Sequence, residues 1–173
     1  MSPLIGYEGR HPQLAEDVFV APGAFVIGDV SIGESSGLWF NTVVRGDVNW
    51  IKIGARTNIQ DLSVIHVDSG GWPTTVGDDV TVGHRVILHG CTLSHRVLIG
   101  MGAVVMNGVQ IGEDSIVGAG SLLTENTVIP PRTLSLGSPC KVKRDLTDGE
   151  IQLIKLSALH YAELAAKYRS GGG

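Results

Sequence analysis

The chain has 173 residues, enough for one domain of ordinary size and too few for two. Its 24 glycines are roughly twice the usual share, but abundant Val, Ile and Leu exclude a disordered chain, and glycine does not recur at every third position as in collagen. A formal net charge of −4 without runs of like charge gives no footprint for nucleic acid, and no apolar stretch approaches the ~18 residues that cross a bilayer.

The N-terminus, MSPLIGYEGRHPQL, has no basic start followed by an apolar segment, so no secretory signal is read there. Two cysteines, Cys91 and Cys140, are too few for a disulfide framework and fit a reducing, cytoplasmic setting. From Val20 onward a repeat takes over. Steps of six give Val26, Ile32, Leu38 and Val44; after a break, Ile53, Ile59 and Ile65; after another, Val76, Val82 and Leu88. A last series runs through Leu93, Ile99, Val105, Ile111, Val117, Leu123 and Ile129. All eighteen anchors are Val, Ile or Leu, although these types make up only 50 of the 173 residues. Seven anchors, Ile32, Ile53, Val76, Val82, Ile99, Ile111 and Val117, are followed directly by glycine. Two residues before many of them sits a small or β-branched residue, as in Ala24, Val30, Ser36, Ser63, Ala103 and Ser121.

A six-residue unit is too short for a helix and fits a short strand plus a turn. Three such strands make one triangular coil, and stacked coils bury the anchors in an aliphatic column. The expected fold is an all-β solenoid of about six coils, from about residue 20 to about 134. Beyond it, Pro130, Pro131 and Pro139 stop regular strand pairing. Thr147 and Glu150 form a capping-box signature, and Ile151, Ile154, Leu156, Leu159 and Leu164 have roughly helical spacing. Residues 1–146 are therefore read as the solenoid with its lead-in and exit loop. Residues 147–173 are read as a C-terminal helix, packed alongside within the same domain, and a frayed SGGG tail.

The repeat breaks in three places. There are three extra residues between Val44 and Ile53, five extra between Ile65 and Val76, and one fewer between Leu88 and Leu93. Around the breaks gather Arg45, Asp47, Asn58, Gln60, Asp61, His66, His84 and His89, and loops on rigid scaffolds are where function concentrates. Anchors three apart in the series share a face, so Val44, Ile65 and Leu88 stack, each followed by Arg45, His66 or His89. Adjacent strands lie about 4.8 Å apart, which lets His66 and His89 converge on one ion. His84 follows Val82 by two, on the neighbouring face, in register with Asp61. One prism does not bring two outward faces to a point, whereas three-fold packing of identical prisms sets His84 of one chain opposite His66 and His89 of the next. Three imidazoles plus water match a catalytic zinc site. His11, His95 and His160 read as ordinary surface side chains, Cys91 and Cys140 as structural thiols, and Glu113–Asp114 as a solvated turn.

At these residues the chain resembles the γ-class carbonic anhydrases and their carbonic-anhydrase-like relatives. The resemblance is carried by WFNTVVRGDVNWIKIGARTNIQDLSVIHVD, VTVGHRVILHGC and IGMGAVVMNGVQIGEDSIVGAGSLL, with the SPCKVKR exit. It implies that the solenoid is a left-handed parallel β-helix, assembled as a homotrimer. His66, His84 and His89 would bind Zn2+, or Fe2+ or Co2+, at trimer interfaces, and a metal-bound hydroxide would hydrate CO2 reversibly to bicarbonate. Gln60 and Asn58 would orient the hydroxide or substrate, and Tyr161 would stand near the metal. Arg45, Asp47 and Asp61 would form an interfacial salt-bridge network. The extra acidic loop and glutamates of efficient members are missing: Val48 follows Asp47, and DSGGWPTT follows His66 and Val67. A CoA-thioester hydrolase on the same site, and a metal-binding structural subunit with little turnover, stay open as alternatives. An acyltransferase needs one catalytic histidine and a coenzyme-A groove rather than three convergent ligands.

Overall fold

The computed structural model describes residues 3–171, and its chain winds into a left-handed parallel β-solenoid of about seven turns followed by one helix. Each turn has three strands, so the stack has three faces. The first face carries Leu4, Val26, Val44, Ile65, Leu88, Val105 and Leu123, each paired in parallel with the next. The second carries Leu14, Ile32, Ile53, Val76, Leu93, Ile111 and Ile129. The third carries Val20, Leu38, Ile59, Val82, Ile99 and Val117. The extra turn beyond the six anticipated comes from Leu4–Ile5 and Gln13–Leu14, strands too short to show the repeat in sequence.

The anchors are the core. Of the eighteen only Val20 is half-buried; the others are 4% exposed or less. Val20 sits on the terminal strand of the third face, where no further turn covers it. Full burial of such a side chain stabilises by about 1.5–3 kcal/mol, and the column repeats that gain turn after turn. The glycines after the anchors have a steric cause. A Cβ on Gly77 would lie 2.7 Å from the carbonyl carbon of Ser94 in the next turn, so only glycine lets the backbones stack. At the regular corners the residue three after the anchor has positive φ. Several of these are not glycine, including Arg56, Leu62 and Arg85, which costs roughly 1–2 kcal/mol each.

The first and second faces are joined through two long strands, Phe25–Ile32 and Val43–Ile53, that run across their shared corner. The register shifts between Gly28 and Val30, and the three extra residues make Arg45–Trp50 bulge there. After the last turn, Thr133–Gly137 pairs antiparallel with Cys140–Asp145, and Thr147 caps the helix Asp148–Arg169 through the full capping box with Glu150.

The helix runs back along the third face. Ile151 and Ile154 pack near Leu98, Ile116 and Leu134, while Ala165 reaches Phe19 and Trp39 at the other end. Its buried stripe is Ile151, Ile154, Ala158 and Ala165, whereas Leu156 and Leu159 are 60% and 47% exposed, contrary to the stripe read from sequence. Small alanines let the helix lie close on a flat face, which long leucines would hold off. The frayed-tail reading falls partly on residues 172–173, which lie outside the described residues.

Candidate metal centre

The first face separates two groups of polar residues, one at each edge. At its junction with the second face stand Arg45, Asp47, His66 and His89. At its junction with the third face stand Asp61 and His84, with Asn58, Gln60 and Tyr161 beside them.

His66 and His89 pair directly across adjacent strands, Val64–His66 and Ile87–His89. Their rings face edge-on, with His66 Nδ1 3.1 Å from His89 Nε2. The outer nitrogens decide the protons. His66 Nε2 lies 3.0 Å from Asp47 Oδ1, and a carboxylate only accepts, so the His66 proton is on Nε2. Burial works to raise the Asp47 carboxyl, but hydrogen bonds from His66 and Arg45 outweigh it and hold it below the ordinary carboxylate value. His89 Nδ1 lies 2.6 Å from Asn107 Oδ1, and Asn107 Nδ2 donates in turn to Asp68 Oδ2 at 3.3 Å. That second bond fixes which way the amide points and so puts the His89 proton on Nδ1. Both inward nitrogens are then bare lone pairs, 3.1 Å apart. Two such lone pairs repel unless a proton or a metal ion lies between them, and the separation also suits two nitrogens each about 2.0–2.1 Å from one zinc ion. The donor set therefore fits a metal.

At the other edge His84 Nδ1 lies 2.8 Å from Asp61 Oδ2, leaving Nε2 as the bare nitrogen. Asp61 also accepts from the Phe40 amide at 3.2 Å, so its carboxylate is held. Within one chain Asp61 serves His84, while Arg45 pairs with Asp47, so the three-member network anticipated from sequence is split between the edges. Asn58 and Gln60 are 2% and 5% exposed. Asn58 Nδ2 donates to Thr81 Oγ1 and to the Val80 carbonyl, which leaves Asn58 Oδ1 to accept from Gln60 Nε2 at 3.1 Å. Gln60 Oε1 accepts no hydrogen bond among the described residues. Gln60, His84, Met101 and Tyr161 line a groove of about 360 Å³ between the third face and the helix. The Tyr161 ring stands edge-on to Trp39, and burial, helped by the Asp61 charge, pushes its hydroxyl pKa up.

The chain alone does not unite the three histidines. Among the described residues no three His, Cys, Asp or Glu side chains gather as a group that could hold a metal. Asn107 and Asp68 were not found from sequence. The signal was available for Asn107, which follows the anchor Val105 by two, one turn beyond His89 on the same face. Glu125, one turn further, lines a cavity of about 300 Å³ with His89 and Asn107. Cys91 and Cys140 are free and buried, and burial pushes the Cys91 thiol up to about 12, in keeping with a structural role. Glu113–Asp114 is not a solvated turn: Asp114 is buried and accepts twice from Arg96. Among the described residues no helix is long and apolar enough to cross a membrane.

Two repeat families match: bacterial transferase hexapeptide (six repeats) over residues 90–125, and hexapeptide repeat of succinyl-transferase over residues 73–106. Mitochondrial gamma carbonic anhydrase 2 of Arabidopsis thaliana is 46% identical over 172 residues, covering 96% of this chain. The chain spans 62% of that plant protein's length. A carbonic anhydrase of Geobacillus kaustophilus is 44% identical over 164 residues, covering 95% of this chain and 90% of its own. A hexapeptide transferase family protein of Anaplasma phagocytophilum superposes with a TM-score of 0.92 at 41% identity, covering 95% of this chain and 97% of that one. With the hexapeptide solenoid, the paired His66 and His89, and relatives at this identity that match nearly the whole of this chain, the chain belongs to the γ carbonic anhydrase family.

Proposed function

We propose that three copies of this chain assemble around a three-fold axis, and that each interface holds one divalent ion, zinc or alternatively iron or cobalt, for the reversible hydration of CO2 to bicarbonate. The observation that carries this reading is that His66, His84 and His89 each have one ring nitrogen tied to an acceptor, leaving the other bare. Such outer partners orient metal-binding imidazoles and raise their basicity. The two groups lie on opposite edges of one face, so three first faces turned toward a common axis bring each His84 edge against the next chain's His66–His89 edge. That closes a ring with three equal sites.

The first face is suited to be covered. The residue before each anchor points outward, and on this face the row from the second turn onward reads Phe25, Val43, Val64, Ile87, Val104 and Leu122. Val64 and Ile87, flanking the histidines, are 38% and 41% exposed. The same row on the second face is Ser31, Lys52, Thr75, Thr92, Gln110 and Val128, which is mostly polar. The helix already covers the third.

A bound divalent ion supplies hydroxide near neutral pH by lowering the pKa of its water to about 7. This chain's own residues do the rest. Gln60 offers its unbonded Oε1 to hold the nucleophile's remaining hydrogen, and Asn58 keeps Gln60 in that orientation. The raised Tyr161 hydroxyl stays protonated and donates to a substrate oxygen. Leu98, Met101 and Ala119 give the groove an apolar wall for an uncharged substrate. Partner-facing Arg45 and Asp61 are half-exposed in the single chain and are proposed to meet across the interface, while Asp47 keeps His66. Two free thiols suit a reducing, cytoplasmic setting.

A CoA-thioester hydrolase on the same residues is the second reading, favoured by a groove larger than CO2 requires. Metal analysis followed by parallel CO2-hydration and thioester-hydrolysis assays on the zinc-loaded protein separates the two. Metal-dependent CO2 hydration well above that of free zinc supports the first reading, and thioester hydrolysis alone replaces it with the second.

A further inference from the structure

We infer that Asp68 and Asn107 form a tautomer lock on His89, acting as positioning residues for the metal centre; this rests on the metal reading above. Asp68 begins the loop that the five extra residues create. An isolated antiparallel bridge ties it to Trp72, its Oδ1 accepts from the Gly70 amide at 2.6 Å, and its carbonyl accepts from Asn49 Nδ2 at 3.2 Å. Two contacts thus hold the Asp68 backbone and one holds its carboxylate, whose remaining oxygen, Oδ2, is the one presented to Asn107 Nδ2. A carboxylate cannot donate, so the Asn107 amide nitrogen must face it and the amide oxygen must face His89.

The chain has made room for this. Between Leu88 and Leu93 one residue is missing, and the turn is made at Gly90 with φ +59. A Cβ on Gly90 would lie 2.5 Å from Asn107 Oδ1 and 2.7 Å from Trp72 Cβ. Glycine directly after His89 therefore lets the Asn107 amide approach the ring, under the loop that Asp68 pins. The same sequence break that removes a residue and the one that adds five thus converge on one nitrogen of His89.

The lock has a distinctive consequence: Asp68 controls the ring through the direction of an amide. In Asp68→Asn the amide oxygen is kept by the short bond from the Gly70 N–H, which turns the amide nitrogen toward Asn107 Nδ2. To avoid two facing donors, Asn107 must flip, presenting Nδ2 to His89 Nδ1. His89 then carries its proton on Nε2, the atom that faces His66 and the metal. The doubly exchanged chain, Asp68→Asn with Asn107→Asp, restores an acceptor at His89 and a donor behind it.

The test uses the full-length protein and two readouts. In metal-free protein with 15N-labelled histidine, ring nitrogen shifts, assigned by loss of the signal in His89→Gln, report the tautomer. Zinc affinity is measured separately by chelator competition. Wild type is expected to show the Nδ1-protonated form. Asp68→Asn and Asn107→Ala are expected to lose it and to bind zinc about 10–100-fold more weakly, as outer-shell losses do. The double exchange is expected to recover both. An unchanged His89 tautomer in Asp68→Asn, or a double exchange no better than that single variant, overturns the lock. If wild type binds no zinc while the tautomer responds as described, the lock stands and the metal reading fails instead.

Discussion

Ile87 offers the most direct perturbation of the proposed assembly, because it points away from the aliphatic column and stands one residue before the fully buried Leu88. In Ile87→Lys the solenoid core is untouched, since the substituted side chain lies outside it. Full burial of an Ile side chain is worth about 1.5–3 kcal/mol, so covering the two fifths still exposed contributes about 0.6–1.2 kcal/mol per subunit. Three-fold symmetry also brings three ammonium groups around one axis. Each pair, about 8 Å apart at an effective dielectric constant of 20, repels by about 2 kcal/mol. The losses together come to roughly 8 kcal/mol per trimer, and half of that, after side-chain rearrangement, still weakens assembly by about 10³-fold. Sedimentation velocity should show a monomer whose circular dichroism matches wild type and whose metal content is low, because each site has lost its second half. A metal-loaded trimer in Ile87→Lys would refute the assignment of the first face as the assembly surface.

Leu88→Ala, in contrast, removes a side chain locked between Ile65 and Val105, and should lower unfolding free energy by about 2–5 kcal/mol in urea titration. Val48→Glu places a carboxylate in the bulge beside Asp47; if proton export limits CO2 hydration, turnover should rise and its dependence on imidazole buffer should weaken, with zinc content unchanged. Asp114, held below the ordinary carboxylate value of 3.8 by its hydrogen bonds to Arg96, favours folding wherever it is ionised. That contribution is complete above about pH 4 and is lost as pH falls through the lowered folded value, so Asp114→Asn should flatten the acid limb of a stability–pH curve measured by denaturant titration.

The six-residue period was enough to place the column, because each anchor fills the same position in a turn and tolerates only a branched aliphatic. The corners were less legible. Leu62 and Arg85 adopt positive φ without being glycine or asparagine, since the solenoid's closure, not local preference, decides the backbone there. The helix existed in the sequence through its capping box, but its buried side did not. Leucines at 156 and 159 satisfy the spacing, while the close contact with the third face selects Ala158 and Ala165. The stacking of His66 on His89 followed from counting strands. Their proton placement did not, because it depends on Asn107 and Asp68, which lie 18 and 21 residues from His89 in sequence and meet it only through the turn above and the inserted loop.

The central claim is that the histidine ligands come from opposite edges of one face and meet only between chains. Mixed trimers of His84→Ala and His66→Ala chains test it most directly, with metal content read by elemental analysis after separation by differential tags. Each variant alone lacks a complete site at every interface. In any heterotrimer of the two, whichever is in excess, one interface joins an intact His84 to an intact His66–His89 pair. One ion per heterotrimer, against three in the wild-type trimer and none in either variant alone, is the predicted result. Heterotrimers that stay as metal-free as the parent variants would contradict a site shared between chains.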